Sequence, residues 1–156
     1  MLTYLDMLCQ SEVIAMKIDE LISIAREQYP QENIPTVEIL KNKAVLLQKE
    51  NLAWKKNFNY QGIYILCNDQ DEVIYIGSAY VQTVHERLLQ YTSSKDTGNS
   101  LLRDIIDMEL ANDIPNAMEY IKNLKIYAFK NDSLEYKLIR KAEIGIVNKV
   151  GASDKN

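Results

Sequence analysis

The distribution of apolar and polar positions divides the chain into a first third with helical spacing and a remainder that mixes two periods. Apolar residues from Leu5 and Leu8 through Ile14, Ile18, Leu21, Ile22 and Ala25 recur every three or four positions, predicting one or two amphipathic helices across residues 2–26. Ser11 and Glu12 mark an interruption or a cap within them. Tyr29, Pro30 and Pro35 break the pattern, and Thr36 then caps a second helix that is expected to reach about Lys56. The period changes at Gln61. Two short runs, Gly62–Cys67 and Val73–Gly77, are rich in β-branched residues and flank a polar stretch from Asn68 to Glu72, which is the pattern of a β-hairpin. Alternation along a strand puts Tyr64 on the face of Leu66, and Tyr75 on the face opposite Ile74 and Ile76. Two phenols on neighbouring strands are thus expected to meet on one sheet face. Thr83 caps a helix to Tyr91, Ser94–Asn99 reads as a loop, and a helix from Ser100 to about Ala111 is stopped by Asn112, Asp113 and Pro115. Leu124–Phe129 alternates as a third strand, and a last helix begins near Ser133, with Leu134, Leu138, Ala142 and Ile146 as its apolar stripe and Gly151 as its stop. Strands and helices in this order make an α+β chain.

At 156 residues the chain is about one domain long. It divides into a helical extension, residues 1–56, and a domain spanning 57–156. No apolar run reaches membrane-spanning length, and the start has neither a basic segment nor a small-residue cleavage site, so a cytoplasmic location is expected. Cys9 and Cys67 are too few for a zinc ligand set and read as reduced core thiols. The net charge of −4 runs against phosphate binding, which depends on Lys and Arg. The lysines nevertheless fall in two groups, one at Lys41, Lys43, Lys49, Lys55 and Lys56, the other running from Lys122 to Lys141. Folding gathers them into one basic face or leaves a solvated surface of mixed charge.

The triplets Gly62-Ile63-Tyr64 and Tyr75-Ile76-Gly77, separated by ten residues, resemble the signature of the GIY-YIG nucleases. The resemblance covers residues 61–156 and implies an α+β fold with a small three-stranded antiparallel sheet flanked by helices. It also implies an Arg on the helix after the second triplet, and Arg87 follows Gly77 by ten residues. A guanidinium grips phosphate oxygens with two parallel donors, which an ammonium cannot do. Four residues further on, where many members carry His and some restriction enzymes Tyr, this chain has Tyr91, on the same helix face as Arg87. His85, two residues before Arg87, falls on another face. The family's metal-binding Glu belongs to the last helix, where Glu135 and Glu143 are available; Glu143, followed by Ile144, Ile146 and Val147, is the better match. Glu135 sits in a first turn, where an acid suits the helix dipole without further function. The family's terminal Asn corresponds to Asn156, Asn148 being too close to Glu143.

Phosphodiester hydrolysis needs a base for water, positive charge for the phosphorane and commonly a metal at the leaving oxygen. The resemblance implies Tyr64 as general base, Tyr75 as the group that orients it and the water, and Arg87 as the phosphorane's cation. It implies Tyr91 at the scissile phosphate, Glu143 as ligand of Mg²⁺ or Mn²⁺, and Asn156 as a substrate contact. The expected activity is metal-dependent cleavage of DNA, double-stranded by preference, in a restriction or mobile-element setting. A noncatalytic nucleic-acid-binding module on the same scaffold and an RNA-directed nuclease or toxin are the alternatives. Every matched position but Asn156 lies between Tyr64 and Glu143, so residues 1–56 are expected to serve packing on the sheet domain, a homodimer contact or DNA contacts.

Overall fold

In the computed structural model, residues 16–54, 57–93 and 99–132 are described. A single antiparallel sheet runs through their centre, its strands in the spatial order β1 (Val45–Leu46), β4 (Lys125–Phe129), β2 (Gly62–Cys67) and β3 (Val73–Ala79). The sheet thus has one strand more than expected. The addition is β1, which pairs Val45 with Ile126 and Leu46 with Lys125. It interrupts what sequence periodicity reads as one helix from Thr36 to Lys56, leaving two short helices, α2 (Val37–Lys43) and α3 (Lys49–Trp54). Two half-buried strand residues show no alternation, so nothing in the pattern separates them from a helix.

One sheet face is covered by α1 (Ile18–Gln28) and α2. Ile18, Leu21, Ile22 and Ala25 form the buried stripe of α1 and pack with Leu40 on Ile63, Ile65 and Phe129. Of the three uses expected for the N-terminal residues, packing on the sheet is therefore the one observed for 16–44. The chain just before α1 also clamps the hairpin, since Val73 N donates to Met16 O at 2.8 Å and Ile18 N to Asp71 O at 2.9 Å. Asp71 occupies the left-handed turn position at φ 61°, which Asp tolerates better than most residues. Its carboxylate accepts from Tyr127 Oη at 2.6 Å and pairs with Lys125 Nζ at 2.8 Å.

The other face carries α3, α4 (Val84–Gln90), α5 (Ser100–Asp107) and α6 (Ile114–Lys122), which enclose Leu66, Ile74, Ile126 and the aromatic residues described below. Thr83 and Glu86 cap α4 reciprocally, the Glu86 N–H on Thr83 Oγ1 at 3.1 Å and the Thr83 N–H on Glu86 Oε1 at 2.9 Å. The helix α6 is an element that the expected order lacks. The preceding helix, expected to reach about Ala111, ends already at Asp107, with Glu109 in the left-handed conformation at φ 62°, and Asp113 and Pro115 instead start the next, with Asn116 N–H on Asp113 Oδ1 at 2.9 Å and Pro115 in the first turn.

Candidate active site

The two glycines of the paired triplets are steric requirements. Tyr64 sits in the middle of β2, opposite Gly77 on β3 and Ala128 on β4, so small residues flank it on both sides. A methyl group at Gly77 would overlap the Cζ and Oη atoms of Tyr64. One at Gly62 would overlap the backbone carbonyl of Phe129. Gly77 makes room for the ring, and Gly62 lets β4 approach.

With that space provided, three phenols gather. Tyr64 and Tyr75 have ring centroids 6.4 Å apart with planes 23° apart, and Tyr91 stands edge-on to both, at 5.9 Å from Tyr64 and 6.4 Å from Tyr75. The hydroxyls of Tyr64 and Tyr91 are 2.5 Å apart. Tyr64 and Tyr91 are buried, whereas Tyr75 is half-buried. Tyr75 reaches this face as expected and Ile76 lies on the other, but Ile74 does not follow the alternation. A bulge between Leu66 and Cys67 leaves Ile74 outside the register and turns it into the same cluster as Tyr64.

The helix α4 brings the guanidinium. Arg87 stands one turn before Tyr91, with its Cζ 5.1 Å from that ring's centre, and its guanidinium faces the oxygens of both Tyr64 and Tyr91. Burial works to lower the Arg87 pKa, but the facing oxygens of Tyr91 and Tyr64 outweigh it and raise the value, so the group stays cationic. Burial first, then the neighbouring Tyr64 and Tyr75, hold the Tyr91 phenol far above its ordinary range, and Arg87 offsets only part of that. Tyr91 therefore keeps its proton and is able to donate it to the Tyr64 oxygen, although either hydroxyl can serve as the donor of their contact.

Three side chains that sequence reasoning passed over support this group. Arg87 Nη1 donates to Gln90 Oε1 at 2.8 Å, and Gln90 Nε2 donates to Gln82 Oε1 at 3.2 Å. Buried Asn99 caps α5 through Leu102 N–H at 3.1 Å and donates to the Tyr91 carbonyl at 3.1 Å, fixing the end of α4. The helical spacing of Arg87 and Gln90 was a readable signal, whereas nothing local marks Gln82 or Asn99. His85 faces away, its Nε2 2.5 Å from the Leu52 carbonyl.

Four of the expected site residues, Tyr64, Tyr75, Arg87 and Tyr91, thus share one cluster. Glu143, Asn156 and the less favoured Glu135 lie outside the described residues, as does Cys9. Among the described residues no three His, Cys, Asp or Glu side chains converge as a metal ligand set. One lysine from each sequence group, Lys41 and Lys125, does converge, but on Asp71, and Lys41 also pairs with Asp19 at 3.2 Å. Those charges are therefore neutralised on the α1–α2 side, on the sheet face opposite Tyr64 and Tyr91. Cys67 is a free, buried thiol whose pKa is pushed up by burial. No helix among the described residues is long and apolar enough to cross a membrane.

No curated protein and no solved structure matches the chain. The family model described as GIY-YIG catalytic domain matches residues 60–144, more than half of the sequence, and takes in both triplets, Arg87, Tyr91 and Glu143. The α+β sheet, the steric fit of Gly77 to Tyr64 and of Gly62 to β4, and that match together establish that the chain belongs to the GIY-YIG family of nucleases.

Proposed function

We propose that the chain is a divalent-metal-dependent endonuclease that hydrolyses DNA phosphodiester bonds, of the restriction or mobile-element kind. Nucleases of this family are generally divalent-metal dependent and act on DNA. The observation that carries the reading is the 2.5 Å contact between the Tyr64 and Tyr91 hydroxyls beside the Arg87 guanidinium. A phenol is a poor base at its usual pKa near 10. Donors and positive charge facing its oxygen favour the ionised form. Tyr91, which keeps its own proton, supplies the donor, and Arg87 supplies the charge. In this reading Tyr64 takes the proton from the attacking water, and half-buried Tyr75 orients that water. Arg87 then meets the charge that builds on the phosphorane, and Tyr91 adds a contact at the scissile phosphate.

The described side of the site offers phenols, a guanidinium and amides, which suit a phosphate and leave a hard cation to a carboxylate elsewhere. Glu143 is the residue proposed to hold Mg²⁺ or Mn²⁺, with Asn156 as a further substrate contact. A metal bound there supplies Lewis-acid stabilisation of the leaving oxygen.

The test is cleavage of supercoiled plasmid by the full chain with Mg²⁺, Mn²⁺ or EDTA, alongside an RNA panel. Glu143→Gln is expected to lose metal-dependent cleavage and measurable Mn²⁺ binding by calorimetry, with folding and plasmid binding kept, while Glu135→Gln behaves as the parent. Parent-like cutting and metal binding by Glu143→Gln removes the metal assignment. A noncatalytic binding module is the second reading, favoured by the exposure of only 1% at Tyr64 and none at Tyr91. It predicts plasmid binding without nicking under every metal condition. Cleavage confined to the RNA panel replaces DNA as the substrate.

A further inference from the structure

Arg87 has to do two things that conflict. It must be held still, and it must reach the phosphate with its charge unspent. A carboxylate partner would satisfy the first demand and defeat the second, because an ion pair consumes the field that the substrate needs. Among the described residues, none of Arg87's partners is a carboxylate; its hydrogen-bond acceptor is the Gln90 amide oxygen, it lies over the Tyr91 ring, and it faces the Tyr64 and Tyr91 oxygens.

The amide at Gln90 works only one way round. Its oxygen accepts from Arg87 Nη1 at 2.8 Å, so its NH₂ must point elsewhere, and it points at Gln82 Oε1 at 3.2 Å. Gln82 Nε2 returns toward Gln90 Oε1 at 3.5 Å, so the two amides lie head to tail. A flipped Gln90 would set NH₂ against the guanidinium donors and an oxygen against Gln82 Oε1. Both contacts would then be lost. Gln82 lies in the segment between β3 and α4, directly after the strand that carries Tyr75 and before the helix that carries Arg87. That segment is itself tied down by Gln61 Nε2 donating to the Tyr80 carbonyl.

We infer that Gln82 and Gln90 form a neutral amide relay that aims the Arg87 guanidinium while leaving its positive charge available to the substrate phosphate. Gln90 and Gln82 are positioning residues, since they act through Arg87. The inference deepens the nuclease reading and rests on it for the identity of the phosphate. The aiming itself is a property of the protein alone.

Two measurements on the full chain separate these parts. The first is NMR of the Arg87 side-chain nitrogens without nucleic acid. In the parent, the Nη1 protons are expected to be slowly exchanging and hindered in rotation, and in Gln90→Met they are expected to average. The second is single-turnover nicking of supercoiled plasmid with Mn²⁺, with plasmid affinity and thermal melts in parallel. Gln90→Met should cut about tenfold more slowly, the rate equivalent of one charge-assisted hydrogen bond, with affinity and melting temperature close to the parent's. Charge then discriminates the two positions. Gln82→Glu keeps the acceptor that orients Gln90, so it should cut faster than Gln82→Met. Gln90→Glu keeps an acceptor for Arg87 but neutralises it, so it should hold the guanidinium rigid and still bind plasmid more weakly and cut more slowly than Gln90→Met. Parent-like Arg87 signals in Gln90→Met overturn the inference, as do equal losses for Glu at both positions. If the parent cuts no nucleic acid but the Arg87 signals respond as stated, the relay stands and the nuclease reading fails.

Discussion

Tyr64 and Tyr91 share a short hydrogen bond in a place that water hardly reaches, and this makes their removal unequal to the loss of one oxygen each. Tyr64→Phe takes from the Tyr91 hydroxyl its hydrogen-bond partner and leaves it facing only the Arg87 guanidinium, a loss of up to about 1–3 kcal/mol for a buried hydroxyl. Either single Phe variant is therefore expected to lower the melting temperature, and the double variant, which removes both polar groups, to recover most of the loss. Additive losses in a denaturant series would contradict the pairing. Activity should behave differently from stability. Tyr64→Phe and Tyr75→Phe are expected to slow single-turnover cleavage by about 10²–10⁴-fold, the usual scale of general acid–base catalysis, and the double variant recovers none of it. Tyr91→Phe should also slow cleavage, because the Tyr64 oxygen loses its hydroxyl neighbour at 2.5 Å. Arg87→Lys should also cut poorly, since one ammonium cannot reach both phenol oxygens and a phosphate in the guanidinium's fork. Parent-like rates in both Tyr64→Phe and Tyr75→Phe would make these residues packing aromatics.

At the scale of elements, the two signature glycines separate stability from chemistry. Gly62→Ala forces a methyl group onto the backbone carbonyl of Phe129, which has no side-chain freedom to yield. It should destabilise by about 1–3 kcal/mol or more in urea melts, as overpacked sites do. Gly77→Ala presses on the Tyr64 ring, which can swing. The expected result there is a milder stability loss and a much larger loss of cleavage; the opposite ranking would refute the steric account. The hairpin and these glycines were legible because strand alternation and turn composition are local. Ile74 was not, because a single bulge at Leu66/Cys67 reverses the face of one residue. β1 escaped because its two residues owe their conformation to β4, some eighty positions away, and α6 because Asp113 and Pro115, which read as a stop, are a start. The tyrosine–arginine group was readable by resemblance to a family, whereas Gln82 and Asn99 meet it only through the fold.

For the molecule as a whole, the α1–α2 layer is part of the core. Ile18, Leu21, Ile22 and Leu40 are buried against the sheet, each worth about 1.5–3 kcal/mol, so their sum rivals the 5–15 kcal/mol that usually separates folded from unfolded chains. A 57–156 fragment is expected to lack a cooperative melt even though it retains Tyr64, Tyr75, Arg87, Tyr91 and Glu143; a soluble fragment melting like the parent would remove α1 and α2 from the core. Alkaline pH offers a second global test. Burial raises Tyr60 and Tyr120 to about 12, and Tyr91 and Tyr127 further. Groups held neutral in the fold but free to ionise near 10 when unfolded contribute stability that is intact below pH 10 and lost as the pH rises beyond it. The melting temperature should hold to about pH 9 and fall steeply toward 12, with phenolate absorbance at 295 nm rising together with unfolding; a flat profile would contradict the burial of these rings. The strand order has a consequence for how the chain is made. β2 lies between β3, which follows it at once, and β4, which begins at Lys125. On a ribosome the hairpin emerges first, and the second edge of β2 stays open until residues beyond Phe129 have left the exit tunnel. At about 5–20 residues per second that is several seconds of exposed strand edge, in which the nascent chain most needs a chaperone.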